Sequence, residues 1–431
     1  MNKLTKKGLF LFSLPSIFAC VLEPLASLID SALVGHLSTA WLAALALGTT
    51  LLSSFSWIFN FLVHVSTESV AKSSEVDKFD LQVERIQVAV IMSVFVGMIS
   101  TLFLFFFREK LYVLIGVTDD LKGLVEKYYL IRVYGHIFSI VYITLLSILK
   151  GQGKVSLSFI ILFVTTVSNI FFSWYFLFVM KMSLEGAAYG TVIANIFGVI
   201  LSLIMLIRSF PSIRSLFKLR VTRSEWKIYS EKSGNLFIRS FLLTAVFFMS
   251  TRLAASLGTV TLAAHQVLIQ VWLFSSLFVD GVAVTGNILG AKLRSVDENE
   301  KIKLLTTNLL KIGFYLGGIF TICYFMMQNY LWNIFSTDMR VHKVLESVWY
   351  LIWLSQIPNA IAFVYDGLMF GHGEFKFVRN MMLIGAIFIY MPLASGVFIF
   401  KNITSIWVGL ITLNIFRWFC SRRKSVRICG G

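Results

Sequence analysis

A chain of 431 residues with 57% hydrophobic side chains and only 14% charged ones cannot fold as a water-soluble protein, because a folded exterior needs charge to cover it. The net charge of +16 raises nucleic acid as a partner, but the positive residues fall in short polar segments between apolar runs. There they signal topology and attraction to anionic lipid heads, not a nucleic-acid surface. Four cysteines, Cys20, Cys323, Cys420 and Cys429, show no paired spacing, so neither a disulfide framework nor a zinc site is indicated.

In chain order, the first apolar run, 8–37, is too long for a signal peptide and reads as a first transmembrane helix. The same ~20-residue criterion gives about twelve spans in all, adding 41–68, 86–107, 124–149, 155–180, 185–208, 233–257, 261–290, 304–327, 343–370, 377–400 and 402–420. In lipid every backbone polar group needs an internal partner, so these are helices and the protein is an all-α integral membrane protein. Placing Met1 in the cytosol puts about 25 Lys and Arg on the inner side and about 8 on the outer side, so both termini are expected to be cytoplasmic in a multi-pass protein of the cell (inner) membrane.

The chain also repeats itself. At an offset of 220, LSTAWLAA (37–44) lies over LGTVTLAA (257–264), Ala71-Lys72 over Ala291-Lys292, and KGQGK (150–154) over FGHGE (370–374). The expected organisation is two pseudo-symmetric six-helix lobes, 1–207 and 233–431, the second ending in a short basic tail, joined by a basic cytoplasmic linker, 208–232. Such a duplicated bundle places a cavity between or within its halves and serves transport. No GxxxxGK[ST] loop, HExxH or GxSxG occurs, so neither ATP-driven transport by this chain nor an enzyme is expected.

Ionisable residues inside the spans need a reason. Asp30 and Glu23 are seven residues apart, nearly two turns, and share a face of the first helix. A carboxyl in low dielectric resists ionisation, so its protonation can be tied to conformation. Pro15 and Pro24 each remove a backbone bond and make that helix bendable. Asp280 lies in the eighth span, opposite Asn60 in the repeat, and Asp366 near the inner end of the tenth, where a helix-end structural role is expected. Arg239 is placed to neutralise a buried carboxylate, whereas Arg252 is expected to snorkel outward. Arg132 and His136 share a face, His64 and His265 read as packed or hydrogen-bonded, and Glu68 reads as solvated. Arg132, Arg239 and Arg252 are the clear basic residues inside the membrane. The Phe and Met content suits lipid contact and, equally, a cavity for bulky lipophilic cations.

EPLASLIDSALVGHLSTAWLAALALG at 23–48 resembles the first signature of the multidrug and toxic compound extrusion (MATE) family, in its DNA-damage-inducible protein F (DinF) branch. The segments at 237–267, 280–293 and 366–377 resemble that branch's seventh to tenth helices, in the expected order over nearly the whole chain. The resemblance implies a twelve-helix, two-lobe MATE-like fold and an antiporter that exchanges protons or sodium for organic compounds, driven by an ion gradient without a cofactor. It implies that Asp30 is the protonation switch that bends the first helix. The family's Asn-x-x-x-Asp in the fifth helix is here Asn169 with Ser173 in the aspartate's place, so Asp30 lacks its usual acidic neighbour, and Glu23 is the candidate for a second carboxyl. Expected partners are a small-molecule substrate and membrane lipids, with no nucleic acid and a functional monomer. The alternatives are a sodium-coupled exchanger, a lipid-linked precursor flippase of the same superfamily and, in a different class, a non-transporting sensor or scaffold.

Overall fold

The computed structural model describes residues 4–74, 79–209, 221–336 and 338–430, and among them all regular structure is helical. Lys3, Arg214, Lys218 and Arg220, which belong to the inner positive set, lie outside the described residues. The helices are α1 (Lys6–Gly35), α2 (Thr39–Phe59), α3 (Phe61–Ser74), α4 (Phe79–Phe106), α5 (Arg108–Ile115), α6 (Asp119–Tyr134), α7 (His136–Gly151), α8 (Val155–Trp174) and α9 (Glu185–Ile207). They continue with α10 (Arg223–Ser256), α11 (Thr259–Ser295), α12 (Asn299–Met326), α13 (Gln328–Phe335), α14 (Met339–Gly371), α15 (Phe375–Ile384), the one-turn α16 (Met391–Ala394) and α17 (Val397–Phe400), and α18 (Thr404–Gly430). α8 and α15 each run on into a π-helical turn, Tyr175–Val179 and Gly385–Tyr390.

Among the described residues ten helical stretches are long and apolar enough to cross a membrane, or eleven if α6 and α7, bent by 46° at Gly135, count as one span. The twelfth expected span lies in α18, whose apolar stretch is interrupted by Asn414 and Arg417, both buried. The single span expected at 41–68 runs as one stretch, Thr39–Ser74, in which Asn60 marks the junction of α2 and α3 while keeping helical backbone angles. Part of the expected linker is regular structure, since α10 starts at Arg223.

The chain forms two compact units, residues 18–233 and residues 1–17 with 234–431. The opening segment therefore packs with the C-terminal unit. Ser13 Oγ meets Thr285 Oγ1 at 2.8 Å, Leu4 C=O accepts from Asn308 Nδ2 at 2.8 Å, and Ile17 lies against Gly281. In the N-terminal unit the first turns of α10 are held in the same manner. Lys232 Nζ bonds Glu68 Oε2 at 2.5 Å, Arg85 pairs with Glu225 at 3.2 Å, and Tyr229 OH meets Ser66 Oγ at 2.7 Å. Glu68 is thus not solvated; its side chain is 1% exposed, because a lysine 164 residues away supplies the counter-charge.

The duplication is carried by the helix ends. α2, α4, α5, α6 and α8 begin 220 residues before α11, α12, α13, α14 and α15 respectively. The turn after α7 and that after α14 both use a glycine of positive φ, Gly153 at 82° and Gly373 at 75°, a region that other residues avoid. Two residues earlier, Gly151 and Gly371 sit against a neighbouring helix backbone. A Cβ on Gly151 would lie 2.8 Å from Thr67 O, and one on Gly371 would lie 2.7 Å from Asn287 O, the equivalent atom in the repeat. Gly371→Ala is therefore expected to force α14 from α11 and to cost about 1–3 kcal/mol. Thermal unfolding of purified protein should show a clear fall in Tm, and an unchanged Tm would refute this contact.

Candidate functional site

In the N-terminal unit α1 brings Asp30 to α8 and α9. Asn169 and Ser173 are four residues apart on α8 and so share one face. With both ends of its amide satisfied, Asn169 donates from Nδ2 to Asp30 Oδ2 at 3.2 Å, and its Oδ1 accepts from the Thr191 N–H of α9 at 3.2 Å. Ser173 neighbours the same carboxyl and is fully buried, because Gly190 lets the α9 backbone come close; a Cβ there would lie 2.7 Å from Ser173 Oγ. Asp30 Oδ1 and Ser173 Oγ are both buried with no hydrogen-bond partner of normal geometry. The nearest positive charge is Arg132 on α6, which donates to Tyr128 OH at 3.0 Å and acts on Asp30 only through space. His136, in contrast, turns to Ser100 Oγ at 3.0 Å beyond the bend at Gly135, so Arg132 and His136 take different partners. Pro15 and Pro24 lie within α1 as expected, and the side chain of Glu23 lies outside the described residues.

The C-terminal unit holds the second charged group. Asp366 on α14 is 4% exposed, and its Oδ2 accepts from Arg239 Nη2 of α10 and from Arg417 Nη2 of α18, each at 2.5 Å. Arg417 also donates to Asn414 at 2.5 Å, Asn414 donates to Asn359 at 3.0 Å, and Asn359 donates to Ser355 at 3.2 Å. Asp280 on α11 lies within electrostatic reach of Arg239, Arg417 and Asp366 and makes no direct ion pair among the described residues. The group thus contains two aspartates and two arginines. Asp366 is not a simple helix-end residue; it joins three helices. Arg239 does neutralise a buried carboxylate, as its position suggested.

Arg417 corrects the expected set of intramembrane basic residues. It sits within the last apolar span, just before the basic tail, and the nearby Arg422, Arg423 and Lys424 hide it in what reads as a cytoplasmic charge run. Its only sequence signal is its place three residues before the expected end of that span at 420. His265 is packed as expected: it is buried edge-on to Trp407, with ring centroids 5.7 Å apart.

The position that repeats Asp30 is Ser250 on α10, and it is closed. Ser250 Oγ bonds Tyr390 OH, from the π-helical turn after α15, at 2.7 Å. The equivalent place in one unit is thus a satisfied neutral pair, and in the other an acid with a free oxygen. π-Helical turns cluster at functional positions, and here each follows the helix that faces this place.

A duplicated bundle of membrane-spanning helices that carries acids inside its spans is an architecture that membrane transporters use. Comparison with known proteins names the class more closely. The MatE family model matches the chain twice, over residues 15–175 and 236–395. Protein DETOXIFICATION 45, chloroplastic, from Arabidopsis thaliana is 26% identical over 94% of this chain and 75% of its own length. DNA damage-inducible protein F of Escherichia coli is 23% identical over 88% and 83%. The crystal structure of the Vibrio cholerae MATE transporter VcmN in the bent form covers 100% of this chain and 98% of its own with a TM-score of 0.89 at 17% identity, a likeness of fold. The chain belongs to the MatE family of membrane transporters.

The Asp366 group makes a direct prediction. Asp366→Ala leaves two buried guanidinium groups without their carboxylate, a loss of roughly 3–5 kcal/mol. Purified protein should unfold at a much lower temperature, and Asp366→Asn should fall between the variant and wild type. Equal unfolding temperatures for all three would show that the three-helix junction does not depend on this charge.

Proposed function

We propose that the chain is a secondary active exporter that exchanges protons for organic, lipophilic or cationic compounds by alternating access, with Asp30 as the switch on α1. One observation carries this reading: Asp366 is closed by two arginines, while Asp30 is held by the Asn169 amide, makes no ion pair among the described residues and keeps one buried oxygen without a hydrogen bond. An acid held this way gains or loses a proton without breaking an ion pair. A change in its charge alters what Asn169 and Ser173 must satisfy, and Pro15 and Pro24 allow α1 to bend in response.

Glu23 supplies a second carboxyl on the same helix face in this reading, in place of the acid that Ser173 replaces. Asp280, beside Arg239, is the second ion-responsive acid and belongs to the C-terminal unit. The exporter works as a monomer in the cell membrane with both termini in the cytoplasm, since one chain carries both halves and the positive residues favour that orientation. A sodium-coupled exchanger is the second reading. Asp30 Oδ1 and Ser173 Oγ are oxygens of the kind that a hard cation takes, and a turned Asn169 amide would add a third.

The test uses the full chain in liposomes, wild type beside Asp30→Asn, with a fluorescent lipophilic cation under an imposed pH gradient and then a sodium gradient. We expect pH-driven flux in the wild type and only the rate of empty liposomes in Asp30→Asn. Undiminished pH-driven flux in the variant would overturn the role of Asp30. Sodium-driven flux that Asp30→Asn removes would establish the second reading instead. Glu23→Gln and Asp280→Asn should reduce flux without abolishing it; full activity in either removes that residue from the mechanism.

A further inference from the structure

We propose that the ends of α11, α12, α15 and α18 form a binding site for a phosphate group, carried by the headgroup of an anionic lipid. A cavity of about 450 Å³ opens there, with Arg294, Lys424 and Arg427 as its cations and Asp297 and Glu374 as its carboxylates. The charges do not cancel within it. Lys424 Nζ pairs with Glu374 at 3.0 Å, and these two neutralise each other. Arg294 stands 4.0 Å from Asp297, whose side chain is 87% exposed, so that pair is loose and wet. Arg427 has no carboxylate partner among the described residues. Two guanidinium groups therefore face one cavity with a single weakly held counter-charge.

Guanidinium forks match phosphate oxygens, and they bind them more strongly than they bind water. The backbone adds to this. α12 begins at Asn299, whose N–H donates to Asp297 O, and α15 begins just after Glu374, so first-turn N–H groups of two helices border the cavity. Arg294 and Arg427 sit at the carboxyl ends of α11 and α18 and offset their negative dipole ends. His372, which is buried with both ring nitrogens unpartnered, lies within electrostatic reach of Arg294 and supplies no negative charge. Ile428 gives the cavity an apolar lip, as an acyl-bearing ligand requires. The surrounding Lys292, Lys301, Arg422 and Arg423 place it in the positive belt at a membrane surface, where basic pockets between spanning helices take anionic headgroups.

The fold does not need these charges. In the N-terminal unit the same turn is built with Ser74 at the position of Arg294 and Lys154 at that of Glu374, and Lys154 bonds the Ser209 hydroxyl. Among the described residues, the combination of Arg294 and Glu374 at this turn belongs to the C-terminal copy alone.

The test compares the full-length wild type with Arg294→Gln/Arg427→Gln, and with Arg422→Gln/Arg423→Gln as a control of equal charge change. Thermal unfolding is followed in detergent micelles with added phosphatidylglycerol, phosphatidylcholine or inorganic phosphate at matched ionic strength, and native mass spectrometry counts retained lipid. We expect phosphatidylglycerol to raise Tm over phosphatidylcholine in the wild type and the control. Its apparent affinity should be at least about tenfold weaker in Arg294→Gln/Arg427→Gln, with retained anionic lipid lost in parallel. A rise with inorganic phosphate alone, lost in the same variant, supports the phosphate site and gives its source as soluble. The same phosphatidylglycerol response and retained lipid in all three proteins would overturn the site, and so would equal losses in the variant and the control.

Discussion

Hydrocarbon cannot solvate a charge, so an ionised side chain in a spanning helix must be met by a partner that another helix carries in. Asp366 shows the full consequence. Its carboxylate draws Arg239 from α10 and Arg417 from α18, and the amides of Asn414 and Asn359 extend the junction across α14. Each partner is strongly constrained, because the loss of one would leave the others buried and uncompensated. Glu68 and Lys232 repeat the pattern nearer the surface and fasten the start of α10 within the N-terminal unit. In both cases electrostatic satisfaction fixes which helices meet.

Asp30 departs from that rule. Its hydrogen-bond partner is the Asn169 amide, the Ser173 hydroxyl stands beside it, and its near cation Arg132 is engaged with Tyr128. The duplication makes the departure visible, since the equivalent Ser250 is satisfied by Tyr390 without any charge. Backbone geometry was kept between the copies, down to the paired glycines at 151 and 371, while the side chains at matching positions diverged. A scaffold whose helix ends repeat in register leaves individual polar positions free to change, because the turns and close approaches that hold it involve backbone and glycine.

How far the sequence could be read follows from the range of each interaction. Helix starts depend on turn residues nearby, so the offset of 220 was visible in LSTAWLAA over LGTVTLAA and in KGQGK over FGHGE, and the structure carries it through five pairs of helix starts. Asn169 and Ser173 came to notice through the resemblance to the family's Asn-x-x-x-Asp pattern, and the i, i+4 spacing puts the two on one helix face. Pairings across the chain were not legible in the same way. Glu68 finds Lys232 across 164 residues, and Arg417 finds Asp366 across 51, and neither separation leaves a periodic trace. The span expected at 402–420 is present in α18, yet its average hydropathy is lowered by Asn414 and Arg417, the very groups that a buried network needs.

The substitution at Ser173 bears on what kind of switch the N-terminal unit can be. With an aspartate there, two carboxyls would share one environment and titrate as a coupled pair, the first ionisation opposing the second. Gly190 lets the α9 backbone lie against Ser173, which is fully buried, so the small side chains at both positions go with the close approach of α8 and α9. On the proposed reading no second acid faces Asp30 from α8, and Glu23, nearly two turns away on α1, supplies the second carboxyl. Acids that far apart oppose each other's ionisation less than an adjacent pair does, so their charge changes spread over a narrower range of pH. Both carboxyls and both prolines then lie on one bendable helix.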